Sequence, residues 1–165
     1  MKHVLLFFAL LAGTSSFVSA QDKAPASPRV TAEGKNVTIA YGQPSKKGRA
    51  IFGELVPYGK VWRLGANEAT EITFKKDGSF GGKPVKAGTY TLFTIPEANS
   101  WTFILNSTLK QWGAYKYDEI KGANVLEVKA KPTKTAAPVE KLTITAPADK
   151  VVVEWDQTRV EVPVK

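Results

Sequence analysis

The chain has 165 residues, 23 Lys and Arg against 15 Asp and Glu, a formal net charge of +8, one histidine and no cysteine. The missing cysteine excludes disulfides, thiolate metal sites, iron–sulfur clusters and Cys-His nucleophiles. The lone histidine, His3, lies in the apolar N-terminal stretch, so no Ser-His-Asp triad or His metal site is available to a folded domain behind it.

Residues 1–20 read as a secretory signal peptide. Lys2 supplies the positive start, Val4–Ala12 is an unbroken apolar run, and Val18-Ser19-Ala20 leaves small residues before Gln21. The run is too short to span a bilayer. The expected product is cut after Ala20, exported to the periplasm or the medium, and not inserted in a membrane. No cysteine follows the signal to carry a lipid anchor. Residues 21–28, with Pro25 and Pro28, read as a mobile leader. Residues 29–165 read as a single domain, large enough for one core without staples.

From Val37 onward the apolar pattern has period two. Val37, Ile39 and Tyr41 alternate with polar residues, as do Ile72 and Phe74. Thr89–Ile95, Trp101–Asn106, Val125–Lys131, Leu142–Thr145, Val151–Trp155 and Val160–Val164 continue the series. Asp77-Gly78, Gly81-Gly82, Pro96, Gly122, Pro132 and Pro147 break it. The expected fold is all-β, an antiparallel β-sandwich of about 8–9 short strands. Glu54–Val56 and Ala66–Thr70 have room for a helical turn each. Val85-x-Ala87-Gly88-x-Tyr90 has the spacing of a tyrosine corner, which gives Tyr90 a structural role. Trp101 and Phe103 share one face of their strand and are assigned to the core. The Val151/Val153/Trp155 and Val160/Val162/Val164 sets differ in parity, so a bulge or tight turn is expected near Asp156–Arg159. Lys129–Glu140 reads as an exposed hairpin end.

Residues 44–70 interrupt the strand pattern with one long loop. Gly48, Gly53, Gly59 and Gly65 punctuate it, and Ile51, Phe52, Leu55, Val56 and Val61 are available to anchor it. It also presents Arg49, Tyr58, Trp62, Arg63, Asn67 and Glu68, the kind of set that carries function on a rigid sheet. The structural alternative is that Trp62 plugs the core while Arg63 or Arg49 pairs with Glu68 or with carbonyls. A second cluster, Gln111-Trp112-Gly113-Ala114-Tyr115-Lys116-Tyr117-Asp118, gathers aromatics around a glycine, with Tyr115 and Tyr117 on one side if extended. Such faces suit sugar rings, and equally suit sealing the end of a sandwich.

The run Gly48-Arg49-x-Ile51-Phe52-Gly53-x-Leu55-Val56-Pro57-Tyr58-Gly59-x-Val61-Trp62-Arg63-x-Gly65-Ala66-Asn67-Glu68-x-Thr70 resembles the signature of an exported bacterial family, common in Bacteroidetes, known as domain-of-unknown-function family 2911. Ala87-Gly88-Thr89-Tyr90-x-Leu92-Phe93-x-Ile95-Pro96, Trp101-x-x-x-Leu105-Asn106 and Trp112-Gly113-x-Tyr115-x-Tyr117 extend the resemblance over most of residues 28–164. It implies an exported all-β domain with no established activity and supplies no catalytic residues.

The chemistry that remains is limited. The basic runs lack interleaved stacking aromatics, so nucleic acid is not an expected partner. There is no Asp-x-Asp-x-Asp calcium run, and neither metal nor cofactor is expected. Catalysis without His or Cys would need a carboxylate pair, a Tyr/Lys pair or a bound metal, and glycoside hydrolysis the first of these. Glu68 is the natural first member, and Glu54, Glu71, Asp118 or Asp156 the second. Three readings follow. The first is a non-catalytic binding module for a glycan or small anionic envelope ligand. Its pocket would join loop 44–70 to segment 111–118 and use Arg49, Tyr58, Trp62, Arg63, Asn67, Glu68, Trp112 and Tyr115. The second is a structural or protein-interaction domain, and the third a hydrolase using Glu68.

Overall fold

The computed structural model describes residues 27–165; the expected signal peptide and residues 21–26 lie outside the described residues. The elements in chain order are β1 (Arg29–Glu33), β2 (Val37–Gly42), β3 (Glu71–Phe74), β4 (Gly78–Phe80), β5 (Lys83–Val85), β6 (Gly88–Ile95) and β7 (Trp101–Asn106), then α1 (Tyr117–Ile120) with a 3-10 turn at Lys121–Ala123, and β8 (Asn124–Ala130), β9 (Thr133–Thr145) and β10 (Lys150–Pro163). Every strand pair is antiparallel, and the fold is an all-β sandwich. One layer is a six-stranded sheet in the order β1-β2-β3-β6-β7-β8; the other is the long β9–β10 hairpin, with the small β4–β5 hairpin at its margin.

Period two explains the packing. Val37, Ile39, Tyr41, Ile72, Phe74, Leu92, Trp101, Phe103 and Leu105 leave one face of the large sheet. They join Leu142, Ile144, Val151, Val153, Trp155, Val160, Val162 and Val164 of the hairpin in one buried cluster. Burying an apolar side chain of this size contributes roughly 1.5–3 kcal/mol, so this shared face holds the layers together. The Tyr41 hydroxyl adds a polar tie, accepting the Ile144 N–H at 3.0 Å. Gln43 Nε2 donates to the Leu142 carbonyl at 3.1 Å.

Several local expectations meet their geometry. Tyr90 donates its hydroxyl hydrogen to the Lys86 carbonyl at 3.1 Å, closing the tyrosine corner. The parity slip is absorbed at Asp156, which has φ 52° between two register shifts. The two valine sets consequently lie along one strand, β10, rather than two, with Val164 just past its end in a bridge to Phe80. The exposed stretch expected as a hairpin end is in part strand, because Thr133 and Lys134 pair with Arg159 and Thr158 at the start of β9. Neither Glu54–Val56 nor Ala66–Thr70 is helical; both are turns and bridges. The single-turn helix lies at Tyr117–Ile120 instead.

The connection 43–70 is a strap rather than a free loop. Ser45 bridges to Lys141, Trp62 to Thr94 and Glu68 to Trp112. Lys46 forms an ion pair with Asp156 at the β10 bulge. Ile51, Val56, Trp62 and Leu64 are buried in the main cluster. The Trp62 ring stacks on Trp155 (centroids 6.0 Å apart, 16° between planes) and meets Trp101 and Phe52 edge-on, both at 6.1 Å. Its Nε1–H donates to the Gly65 carbonyl at 3.2 Å, which removes the polar cost of burying an indole. Trp62→Ala should therefore cost about 3–5 kcal/mol of unfolding free energy, measured by urea denaturation, as large aromatic truncations in cores do.

Candidate ligand-binding site

The opposite face of the large sheet carries a smaller cluster. Phe93 and Ile104 point away from the main core and, with Ala69, receive Val61, Ile95, Ala114, Tyr117 and Ile120. Residues 107–123 fold back over this face. The buried Asn106, a polar residue closing the apolar run of β7, starts the fold-back. Its side-chain Oδ1 accepts the Thr108 N–H at 2.8 Å, and its Nδ2 donates to the Ile120 carbonyl at 2.9 Å and to Asn124 Oδ1 at 2.8 Å. In the sequence Asn106 stands at the end of the expected Trp101–Asn106 strand, and a lone amide closing a run of apolar residues is the signal for such a tie.

The segment ahead of the helix is then fastened along its length. Thr91 Oγ1 donates to the Thr108 carbonyl at 2.7 Å, and Glu71 Oε1 accepts the Lys110 N–H at 3.0 Å. The Ala69 N–H donates to the Gln111 carbonyl at 2.8 Å, and the Gly113 N–H to the Asn67 carbonyl at 3.0 Å. Left-handed backbone accumulates here: Leu64 (φ 52°), Asn67 (φ 61°), Lys110 (φ 58°) and Gly113 (φ 70°). For a residue with a side chain this costs on the order of 1–2 kcal/mol, and such strain clusters at ligand clamps.

On this anchored segment Trp112 is 63 % and Tyr115 81 % exposed, the two most exposed large hydrophobic residues among those described. The Tyr115 ring lies over Gly113 so closely that a Cβ there would sit 2.6 Å from Cε2. A shallow cleft of about 330 Å³ opens beside them, lined by Lys110, Gln111, Trp112, Tyr115 and Lys116. A larger depression, about 500 Å³, lies between the Gly81-Gly82 turn and Lys165, with no aromatic in its wall.

The eight residues expected at the site do not form one pocket. Loop 44–70 and segment 111–118 do meet, through 67–69 and 111–113. Glu68 is exposed and bridges to Trp112, while Asn67 uses its Nδ2 to reach the Ser27 carbonyl at 3.1 Å. Of the two roles open to Trp62, the structure gives it the core: it is 8 % exposed on the other side of the sheet. Arg49 is exposed and donates to the Lys46 and Ser45 carbonyls, within its own turn. Tyr58 borders a separate depression with Thr133, Lys134 and Gln157. Arg63 alternates with the buried Trp62, as Val61 does on the second face. It is half-buried, and its Nε has no hydrogen-bond partner among the described residues. Tyr115 and Tyr117 do not share a side, because the segment is not extended. The chain turns helical at Tyr117, whose ring packs edge-on against Phe93 at 5.2 Å and whose hydroxyl accepts from Asn124 Nδ2 at 2.8 Å.

Three of the four carboxylates proposed to pair with Glu68 are engaged separately. Glu71 is 3.7 Å from Arg29, Asp118 pairs with Lys121, and Asp156 with Lys46. The perturbed acids lie elsewhere. Lys86 and then the Ala87 N–H hold the Asp77 carboxyl below its ordinary value, and Lys150 and then Arg159 do the same for Glu161. Among the described residues no three His, Cys, Asp or Glu side chains gather as a metal site would require, and no helix is long and apolar enough to cross a membrane.

The tightness of the Gly113–Tyr115 contact is measurable. Gly59 has nearly the same φ, 71°, but open space where its Cβ would lie. Gly59→Ala should therefore carry the backbone penalty alone, about 1–2 kcal/mol. Gly113→Ala should lose more, because the Tyr115 ring must also move. Urea titrations of the two variants test the difference, and equal losses would show that the ring does not bear on Gly113.

Comparison with curated proteins and with solved structures gives no match. The family described as a protein of unknown function, DUF2911, matches residues 23–164, so nearly the whole described sandwich, its strap and its aromatic cleft fall within the match. The chain belongs to the DUF2911 family.

Proposed function

We propose that the protein is an exported, non-catalytic binding module, whose glycan or small anionic ligand sits against Trp112 and Tyr115. The observation that carries this reading is the exposure of two large aromatic rings on a segment fastened by hydrogen bonds at Thr108, Lys110, Gln111 and Gly113. Exposed apolar rings held at fixed positions give up water at little entropic cost when a flat ligand covers them, and preorganisation of this kind favours binding. Sugar C–H faces stack on such rings while neighbouring polar groups take the hydroxyls; Gln111 lines the cleft and Glu68 bridges to Trp112 at its margin.

A second reading, a structural or protein-interaction domain, is favoured by the strap itself. Its Ile51, Val56, Trp62 and Leu64 serve the core and leave few of its residues for a ligand. The hydrolase reading has less support, since three of the four carboxylates considered beside Glu68 are committed to their own ion pairs.

Export rests on the signal-like features of residues 1–20. The intact mass of protein recovered from the producing cells' envelope or medium should correspond to a chain beginning at Gln21; a mass retaining Met1 would refute cleavage. For binding, glycan-array capture followed by calorimetry is the direct assay. Trp112→Ala should fold with stability within about 0.5 kcal/mol of wild type, as exposed substitutions do. It should weaken binding by about 1.5–3 kcal/mol, the value of one covered aromatic side chain. A Trp112→Ala protein that binds as wild type does would remove the cleft from consideration.

A further inference from the structure

The charges around the cleft narrow the ligand class. Lys110 and Lys116 line it from the two ends of the segment, with Trp112 and Tyr115 between them. Neither lysine takes part in the ion pairs found among the described residues. The acids close by in sequence or bonding are otherwise occupied: Asp118 pairs with Lys121, and Glu71 lies 3.7 Å from Arg29 while accepting the Lys110 backbone N–H. Glu68 at the margin and Glu119, three residues after Lys116, are the exceptions: both are exposed and neither is in an ion pair, and Glu68 is available to accept sugar hydroxyls. Two ammonium groups outside any ion pair, flanking a pair of stacking rings, form a receptor for a flat ring that bears negative charge. A neutral sugar would use the rings and leave the ammonium groups idle. A small inorganic anion would use the ammonium groups and leave the rings exposed. The surrounding field, from a chain of net charge +8, draws anionic polymers toward such a site.

We infer that the ligand of this cleft is an acidic saccharide, a pyranose carrying a carboxylate or sulfate, stacked on Trp112 and Tyr115 with its anionic group held between Lys110 and Lys116. This inference rests on the binding reading above and adds the charge requirement to it. The anionic group must sit on a ring substituent near the stacked face, so that one sugar unit satisfies rings and lysines together.

The test is calorimetric titration of the purified protein with trigalacturonate, a mannuronate trisaccharide and a chondroitin sulfate tetrasaccharide. The methyl ester of trigalacturonate and inorganic sulfate serve as the two partial ligands. The expected result is that at least one acidic saccharide binds tenfold or more tightly than either partial ligand, with affinity falling several-fold as salt rises from about 20 to 300 mM. Lys110→Gln/Lys116→Gln should erase the preference for the acid over its ester and keep the weak ester binding. Trp112→Ala should lose both. Equal binding of acid and ester in wild type would overturn the charge requirement while leaving the aromatic cleft as a neutral-glycan site. Sulfate binding as tightly as the saccharides would overturn the stacking. Failure of all three saccharides at millimolar concentration would overturn the inference. In that case an effect of Trp112→Ala on neutral-glycan capture would decide the broader reading separately.

Discussion

The stack of Trp62 on Trp155 is the constraint from which the rest of the arrangement follows. Trp62 exchanges two backbone hydrogen bonds with Thr94 of β6, its N–H donating at 2.7 Å and its carbonyl accepting at 2.9 Å, so the strap is registered to the sheet at that residue. Its ring reaches across to the second layer, where Trp155 receives it and Trp101 and Phe52 close the sides. Once Trp62 faces the core, alternation sends Val61 and Arg63 to the opposite face. The chain then returns through Thr70, whose N–H donates to the Arg63 carbonyl and whose own carbonyl accepts from Leu92. Residues 67–69 are thereby delivered to the place where 111–113 must run. The position of the exposed cleft depends in this way on a buried stack on the other side of the sheet.

Much of the architecture was legible because period-two alternation is a local property that survives into the folded state. Ile39, Ile72, Leu92, Phe103 and Val153 are where alternation puts them, in the shared core. The parity conflict around Asp156 was legible for the same reason, since a strand cannot bury both valine sets without an inserted residue. What was hidden is set by tertiary contacts. Nothing local distinguishes a tryptophan that fills a core from one that lines a pocket. Trp62 is settled by Trp155, 93 residues farther along the chain, and by a carbonyl at Gly65 that offers its indole a partner. Tyr115 and Tyr117 would share a side only in an extended segment, and the helical turn that starts at Tyr117 removes that condition. One residue of α-geometry at Tyr117 turns its ring toward Phe93 while Tyr115 remains outside.

The candidate site was less legible than the fold. Its two segments were named, but six of the eight residues proposed to share it serve other ends or lie at its edge. Arg49 caps its own turn, Tyr58 sits in another depression, Trp62 is core, and Arg63 carries an unpartnered Nε on the second face. Asn67 and Glu68 contribute through the backbone that positions Gly113 and Trp112. The glycines and basic residues that made loop 44–70 look functional follow in large part from its duty as a strap. A chain that must bend repeatedly while pinning Ile51, Val56, Trp62 and Leu64 into the core needs turns between those pins. Density of interesting side chains in a loop is therefore poor evidence for a site unless the anchoring contacts are known.

The four tryptophans separate stability from recognition in physical terms. Trp62, Trp101 and Trp155 are buried, and the indole N–H groups of Trp62 and Trp155 donate to backbone carbonyls at Gly65 and Glu140. Each is accounted for by the core it fills. Trp112 has the same side chain in the opposite condition, set on a segment whose hydrogen bonds run through backbone at Lys110, Gln111 and Gly113 and make no demand on the identity of its ring. The fold would be as stable with a polar residue there, and more soluble. An exposed ring maintained beside strained backbone and unpaired lysines thus has no explanation in the energetics of folding. Its physical consequence appears only when something flat excludes water from it, so recognition falls to the one tryptophan the core does not use.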